Sequence, residues 1–192
     1  GHAIENSLGV LRAYHDLGAR YMTLTHGKTL DWADSATDAP RHGGLTRFGE
    51  EVVREMNRLG MLVDLSHVSE ETMEDALRVS EAPVVFSHSS ARAVCDHPRN
   101  VPDAVLSKMK ANGGVVMVTF VNAFVSPEWA KASGPLWKEY EERTRGVADP
   151  VERARIGKEI TARMPKVPVT IAEVADHVDH VRRVAGADHV GL

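Results

Sequence analysis

The sequence has a single cysteine, Cys95, among its 192 residues. One thiol excludes an internal disulfide, a secreted disulfide framework and a zinc site built from cysteines, and it permits a reducing compartment. No apolar run approaches the roughly 18 residues needed to cross a bilayer, so no transmembrane segment is expected. The opening GHAIENSLGV lacks the basic stretch and apolar core of a signal peptide. Any targeting segment would lie outside these residues, and the cytoplasm is the expected compartment. There is no basic cluster either: the net charge is -4 and Lys and Arg are scattered, which gives no reason to expect nucleic acid or an anionic membrane surface. A small or peptide-like partner fits better. Low-complexity tracts and a repeat of about 20 to 50 residues are also missing.

What is present suits one folded domain, with 43% hydrophobic and 26% charged residues. Residues 6 to 18 read as a helix with Val10, Tyr14 and Leu17 on one face. Phe48, Val52, Val53, Met56 and Leu59 recur at helical spacing and stop at Gly60. Ser69 can cap a third helix through about Val79, and Pro102 opens a fourth. Thr170 and Glu173 form a capping box ahead of a stripe of Ile171, Val174, Val178, Val181 and Val184. Between these helices lie short apolar runs: YMTLTH, MLVDLSH, PVVFSH, VVMVTF and a final run in DHVGL. Residues 126 to 165, rich in charge and broken by Gly134, Pro135 and Pro150, read as solvated helices inserted between two units.

Alternating helices and continuously apolar strands imply a parallel sheet covered on both faces. Two architectures remain, a doubly wound sheet and a (β/α)8 TIM barrel. GHAIENSLG neither follows a strand nor has the spacing of a nucleotide-binding fingerprint, so the barrel is favoured. Such barrels need about 250 residues, so residues 1–192 are expected to be a single partial barrel domain, with about five of its eight strands and incomplete at both ends.

Ten histidines are the compositional anomaly. YMTLTH ends on His26, MLVDLSH on His67 and PVVFSH on His88, each after a hydroxyl residue. In parallel α/β folds the reactive groups sit at the C-terminal ends of strands, where imidazoles from adjacent strands can converge on one ion. Alternation places Val63 and Leu65 beneath His67, and Val84 and Phe86 beneath His88. Asp64 has the wrong parity to join His67 and reads as structural or as supporting the ligands from behind. His177 and His180 are assigned to the solvated face of the last helix. The connection from residue 27 to 46 is long enough to be functional, with Trp32, Asp31 and Asp34 as an active-site wall or as a surface loop pinned by one buried Trp. Arg99 has a fork suited to a carboxylate, although from spacing alone an ordinary surface arginine is the better reading.

The segments GHAIENSLGVLRAYHDLGARYMTLTH, WADS, GLTRFGEEVVREMNRLGMLVDLSHVS, APVVFSHSSARAVCDHPRNVPD and VADHVDHVRRVAGADHVGL closely resemble the membrane (renal) dipeptidase family, in particular its bacterial members. The resemblance implies a (β/α) barrel with two zinc ions that cleaves dipeptides, including those with a C-terminal D-residue, by a metal-activated water. It implies that His67 and His88 hold the second zinc, that His26 contacts substrate and stabilises the tetrahedral intermediate, and that Arg99 lies near the substrate's terminal carboxylate. The family's bridging glutamate, its first-strand His-x-Asp pair and the aspartate of its Asp-Phe-Asp-Gly segment are not among these residues. Ligands for only one zinc are therefore expected, in a fragment that is inactive alone. Dimerisation is left open. Two other readings compete: a barrel metallohydrolase acting on amides, lactones or phosphoesters, and a truncated non-catalytic relative serving as a binding or structural module.

Overall fold

The computed structural model describes residues 1–192. Helix α1 spans Leu8–Asp16, and strand β1 spans Tyr21–Thr23. Helix α2, Arg47–Leu59, leads into β2, Leu62–Asp64, and α3, Glu70–Val79, leads into β3, Val85–Phe86. Helix α4, Asp103–Asn112, precedes β4, Val115–Met117. Then come α5, Asn122–Val125, α6, Pro127–Thr144, α7, Pro150–Ala162, and α8, Ile171–Val184, before β5, Val190–Gly191.

The five strands form one parallel sheet in the order β1-β2-β3-β4-β5. A doubly wound sheet reverses its strand order at a switch point, whereas a barrel wall does not. The unreversed order is that of a barrel wall, and the sheet is not closed.

Local chemistry explains the elements. Thr46 caps α2 through the Gly49 N–H, and Gly60 ends it at φ 72°, a conformation that costs glycine little. Ser69 accepts from Thr72 N–H at the start of α3, and the Thr170–Glu173 capping box forms at the start of α8. Val52, Val53 and Met56 of α2, Met73 and Ala76 of α3, and Leu106 and Met109 of α4 pack with Val63, Leu65, Val84 and Phe86 into one core. No helix is long and apolar enough to cross a membrane.

Several sequence expectations need correction. Helix α1 does not bury Val10, Tyr14 and Leu17; Tyr14 and Leu17 are exposed, and Leu11 is the buried residue with Leu8 packed beside it. Both sets have helical spacing, and the face that wins carries two leucines. Ile171 is exposed because it occupies the first position of α8, beyond the packed stripe of Val174 and Val181. Helix α6 runs unbroken through Gly134 and Pro135. A residue before proline is normally driven out of the α region by its own Cβ, and Gly134 has none. Helices α6 and α7 pack on one another through Ile156 and Ile160, and Arg143 and Arg163 join Glu159 and Glu139 across them.

The histidines of α8 also differ from expectation. His177 is fully buried, and His180 pairs through Nε2 with Asp103 of α4 at 2.7 Å. His177 stands three residues after Val174 and four before Val181, which puts it on the buried stripe whatever its polarity.

Candidate active site

Strands β1, β2 and β3 bring His26, His67 and His88 to the same end of the sheet. The rings of His26 and His67 stack with centroids 4.2 Å apart, and those of His67 and His88 meet edge to face at 4.9 Å. The Nε2 atoms of His67 and His88 lie 2.9 Å apart. The apolar columns beneath them are buried as expected, since Val63, Leu65, Val84 and Phe86 are at most 1% exposed. Simple alternation nevertheless stops at the end of β2, because His67 adopts φ 76°.

That left-handed turn is held from the long connection. The carbonyl of His67 accepts the N–H of Ala36 at 2.8 Å, and the Ser35 hydroxyl donates to the carbonyl of His26 at 2.6 Å. Ser35 and Val68 form an antiparallel bridge. Ser35 therefore ties together the chain segments that present two of the histidines.

Trp32 and Asp34 of this connection hold the loop itself. Trp32 is buried and packs edge-on against Phe48 with centroids 6.1 Å apart, so it pins the loop. Asp31 is outside, bonded to Asn6, and Asp34 is buried with its carboxylate accepting the N–H groups of Arg41, His42, Gly43 and Gly44. Neither aspartate faces the histidines through any hydrogen bond.

Arg99 is not a surface residue; it is 6% exposed. Its Cζ lies 5.1 Å from the centre of the Phe124 ring, its Nη2 donates to the His88 carbonyl at 3.4 Å, and its Nε has no partner. No carboxylate forms an ion pair with it, and burial pushes its pKa down to about 10, with Asp64 opposing. A buried guanidinium with unused donors has the chemistry to take an anion. Burial, and Arg99 after it, push His67 down to about 3 and lower His88 as well, so both rings are neutral near pH 7.

Asp64, Ser66 and Ser87 were less legible. The Ser87 hydroxyl bridges Asp64 and His88 Nδ1 at 2.6 and 2.8 Å, and Ser66 Oγ accepts the His88 N–H at 2.9 Å. The hydroxyl residue before each strand-end histidine was the visible signal. Thr25, the third of them, makes no such bond, and its buried hydroxyl is without a partner.

The sequence pattern of the membrane dipeptidase family (peptidase family M19) matches residues 1–192. The chain belongs to this family. It is 45% identical over 192 residues to Dipeptidase tcpJ of Claviceps purpurea (strain 20.1), covering 100% of this chain and 36% of that protein. It is 40% identical over 197 residues to Dipeptidase 3 of Mus musculus, covering 100% of this chain and 32% of the relative. Among solved structures it resembles a probable dipeptidase, PvdM, from Pseudomonas aeruginosa with a TM-score of 0.80 and 27% identity. That match covers 98% of this chain and 54% of the other. A metallo peptidase from Rhodobacter sphaeroides, liganded with a phosphinate mimic of the dipeptide L-Ala-D-Ala, gives a TM-score of 0.72 at 26% identity, covering 97% of this chain and 45% of that one. The chain thus spans about a third of the length of these curated relatives.

Family membership implies a metal, and the donor set can be tested for it. Two neutral imidazole nitrogens 2.9 Å apart can both lie within the Zn–N reach of about 2.0–2.1 Å from a shared point. No group of three or more His, Cys, Asp or Glu gathers around an ion position, so the fit is that of a two-histidine half-site.

Proposed function

We propose that the protein bearing this chain hydrolyses the peptide bond of dipeptides with a metal-activated water, zinc being the metal, and that its substrates include dipeptides ending in a D-residue. The observation that carries this reading is the pairing of His67 and His88, Nε2 to Nε2 at 2.9 Å, near the buried and unpaired guanidinium of Arg99. In it, His67 and His88 hold one zinc of a two-ion centre. Bound zinc lowers the pKa of a coordinated water and polarises a carbonyl.

This chain's residues supply the rest. Arg99 takes the terminal carboxylate of the dipeptide, which replaces the anion its buried guanidinium lacks and fixes the substrate's length. His26, stacked on His67, offers an N–H where negative charge develops on the carbonyl oxygen. The Phe124 ring backs the Arg99 guanidinium on one side, its centre 5.1 Å from Cζ. Two imidazoles do not complete a hydrolytic centre, so these 192 residues by themselves are inactive in this reading. The liganded Rhodobacter relative lends support for a dipeptide with a D-residue at its end.

The test is the release of free amino acids from L-Ala-L-Ala and L-Ala-D-Ala by the whole protein, before and after chelation and zinc readdition. Hydrolysis lost on chelation and restored by zinc is expected. Release that ignores chelator, or no release, overturns the reading.

A further inference from the structure

Four hydrogen bonds converge on Asp64, which is fully buried. The N–H groups of Ser66 and Ser87 reach Oδ1, both at 3.0 Å. The hydroxyls of Thr23 and Ser87 reach Oδ2 at 2.5 and 2.6 Å. Amides only donate, and a carboxylate only accepts, so the single hydroxyl hydrogen of Ser87 is committed to Asp64. What Ser87 Oγ presents to His88 Nδ1, 2.8 Å away, is a lone pair. That contact is a hydrogen bond only when Nδ1 carries the ring hydrogen. In a neutral imidazole this leaves Nε2 bare, and Nε2 is the atom that faces His67.

We propose that Asp64 and Ser87 are positioning residues that fix His88 in its Nδ1–H tautomer, so that the Nε2 lone pair is presented to the metal before any metal arrives. The proposal rests on the reading of His67 and His88 as ligands and deepens it. Carboxylates commonly orient metal-binding histidines directly; here a serine is interposed and Asp64 acts through it. His67 has no equivalent support. Its Nε2 meets the bare Nε2 of His88, so the hydrogen of that contact belongs to His67, and binding an ion requires moving it to Nδ1. One ligand is preset and the other adjusts. Ser66 anchors the backbone of the preset one by accepting the His88 N–H.

Long-range 1H–15N correlation spectra of the metal-free protein read the tautomers without a variant. His88 is expected as Nδ1–H and His67 as Nε2–H, and an Nε2–H tautomer at His88 overturns the proposal. Zinc affinity, measured by competition with a chelator, supplies the second readout. Ser87→Ala should weaken binding about 10–100-fold and release the tautomer, while Ser87→Thr, which keeps the hydroxyl, should stay near wild type in both. Wild-type binding with no loss in Ser87→Ala removes the relay alone. Binding in wild type no tighter than in His88→Ala removes the ligand reading and, with it, the metal half of this proposal.

Discussion

The Nδ1 of His177 accepts the backbone N–H of Ala91 at 3.0 Å, a bond spanning 86 residues of chain. Because an amide only donates, the ring hydrogen sits on Nε2, which donates to the carbonyl of Val125 at 2.9 Å. Helix α8 thereby clips the segment after β3 to the end of α5. Replacing this ring with His177→Phe keeps an aromatic but orphans a buried donor and a buried acceptor. A loss of about 2–6 kcal/mol is expected in urea unfolding, from about 1–3 kcal/mol for each of the two orphaned groups.

The same ring gives a pH dependence. Burial lowers the pKa of His177, the Val125 carbonyl opposes this, His180 adds to the lowering, and Asp176 and Glu173 oppose it. The folded protein therefore binds this proton less readily than the unfolded chain, whose histidines titrate near about 6.5. The stability owed to neutral His177 is whole above that value and falls as the pH drops below it. The stability difference between wild type and His177→Phe should shrink from pH 8 to pH 5. An unchanged difference would show that protonation does not strain the clip.

How much of this was legible follows from what each signal measures. The strand ends could be read because apolar runs, glycine stops and the hydroxyl–His endings report backbone placement, and all three histidines do gather. The caps of α2, α3 and α8 were equally readable, since each is a contact within one turn. What could not be read were contacts made across long separations by residues that look ordinary. Arg99 resembles any surface arginine until the fold closes Phe124 over it, and His177 looks solvated if judged by polarity instead of by its place between Val174 and Val181. Parity kept Asp64 from joining His67 and left it structural or behind the ligands, but its route to His88, through Ser87 of a neighbouring strand, gave no local signal.

Asp34 offers a test of the long connection. Burial raises its pKa, yet backbone bonds from Arg41, Gly44, His42 and Gly43 outweigh this and hold it below the usual carboxylate value. Asp34→Asn turns part of an acceptor-only group into a donor facing those N–H groups. A loss of about 2–3 kcal/mol is expected, with faster protease cleavage between residues 36 and 44. Acid should mimic it, because stability from a depressed carboxylate is present above about pH 3.9 and lost below it. Since the Ala36 N–H of the same loop holds the carbonyl of His67, weaker zinc binding should accompany the cleavage.

Arg99→Lys keeps the charge but loses the fork. If the guanidinium receives the dipeptide's carboxylate, KM in the whole protein should rise roughly 10–100-fold, since charge-assisted bonds are worth about 1.5–3 kcal/mol. A C-terminally amidated dipeptide, a poor substrate already, should be indifferent to the change. Equal losses on both substrates would mean that Arg99 serves the histidines and not the carboxylate.

Two glycines in helices predict opposite results from one substitution. Gly49, in the first turn of α2, is fully packed: a Cβ there would lie 2.4 Å from the Trp32 carbonyl oxygen and 3.0 Å from Leu45 Cδ2. The obstacle is backbone, and the Trp32 carbonyl is itself held by the Thr46 N–H at 3.0 Å, so the loop cannot yield without losing that bond. Overpacking costs about 1–3 kcal/mol, against a helix-propensity gain of at most about 1 kcal/mol. Gly49→Ala should therefore destabilise. In α7, a Cβ on Gly157 would stand 3.6 Å from Tyr140 Cε2, an ordinary contact, and the propensity term acts unopposed. Gly157→Ala should stabilise by about 0.5–1 kcal/mol. Thermal unfolding of the two variants side by side decides the matter, and a stabilised Gly49→Ala would show that the Trp32 loop is not pinned against α2.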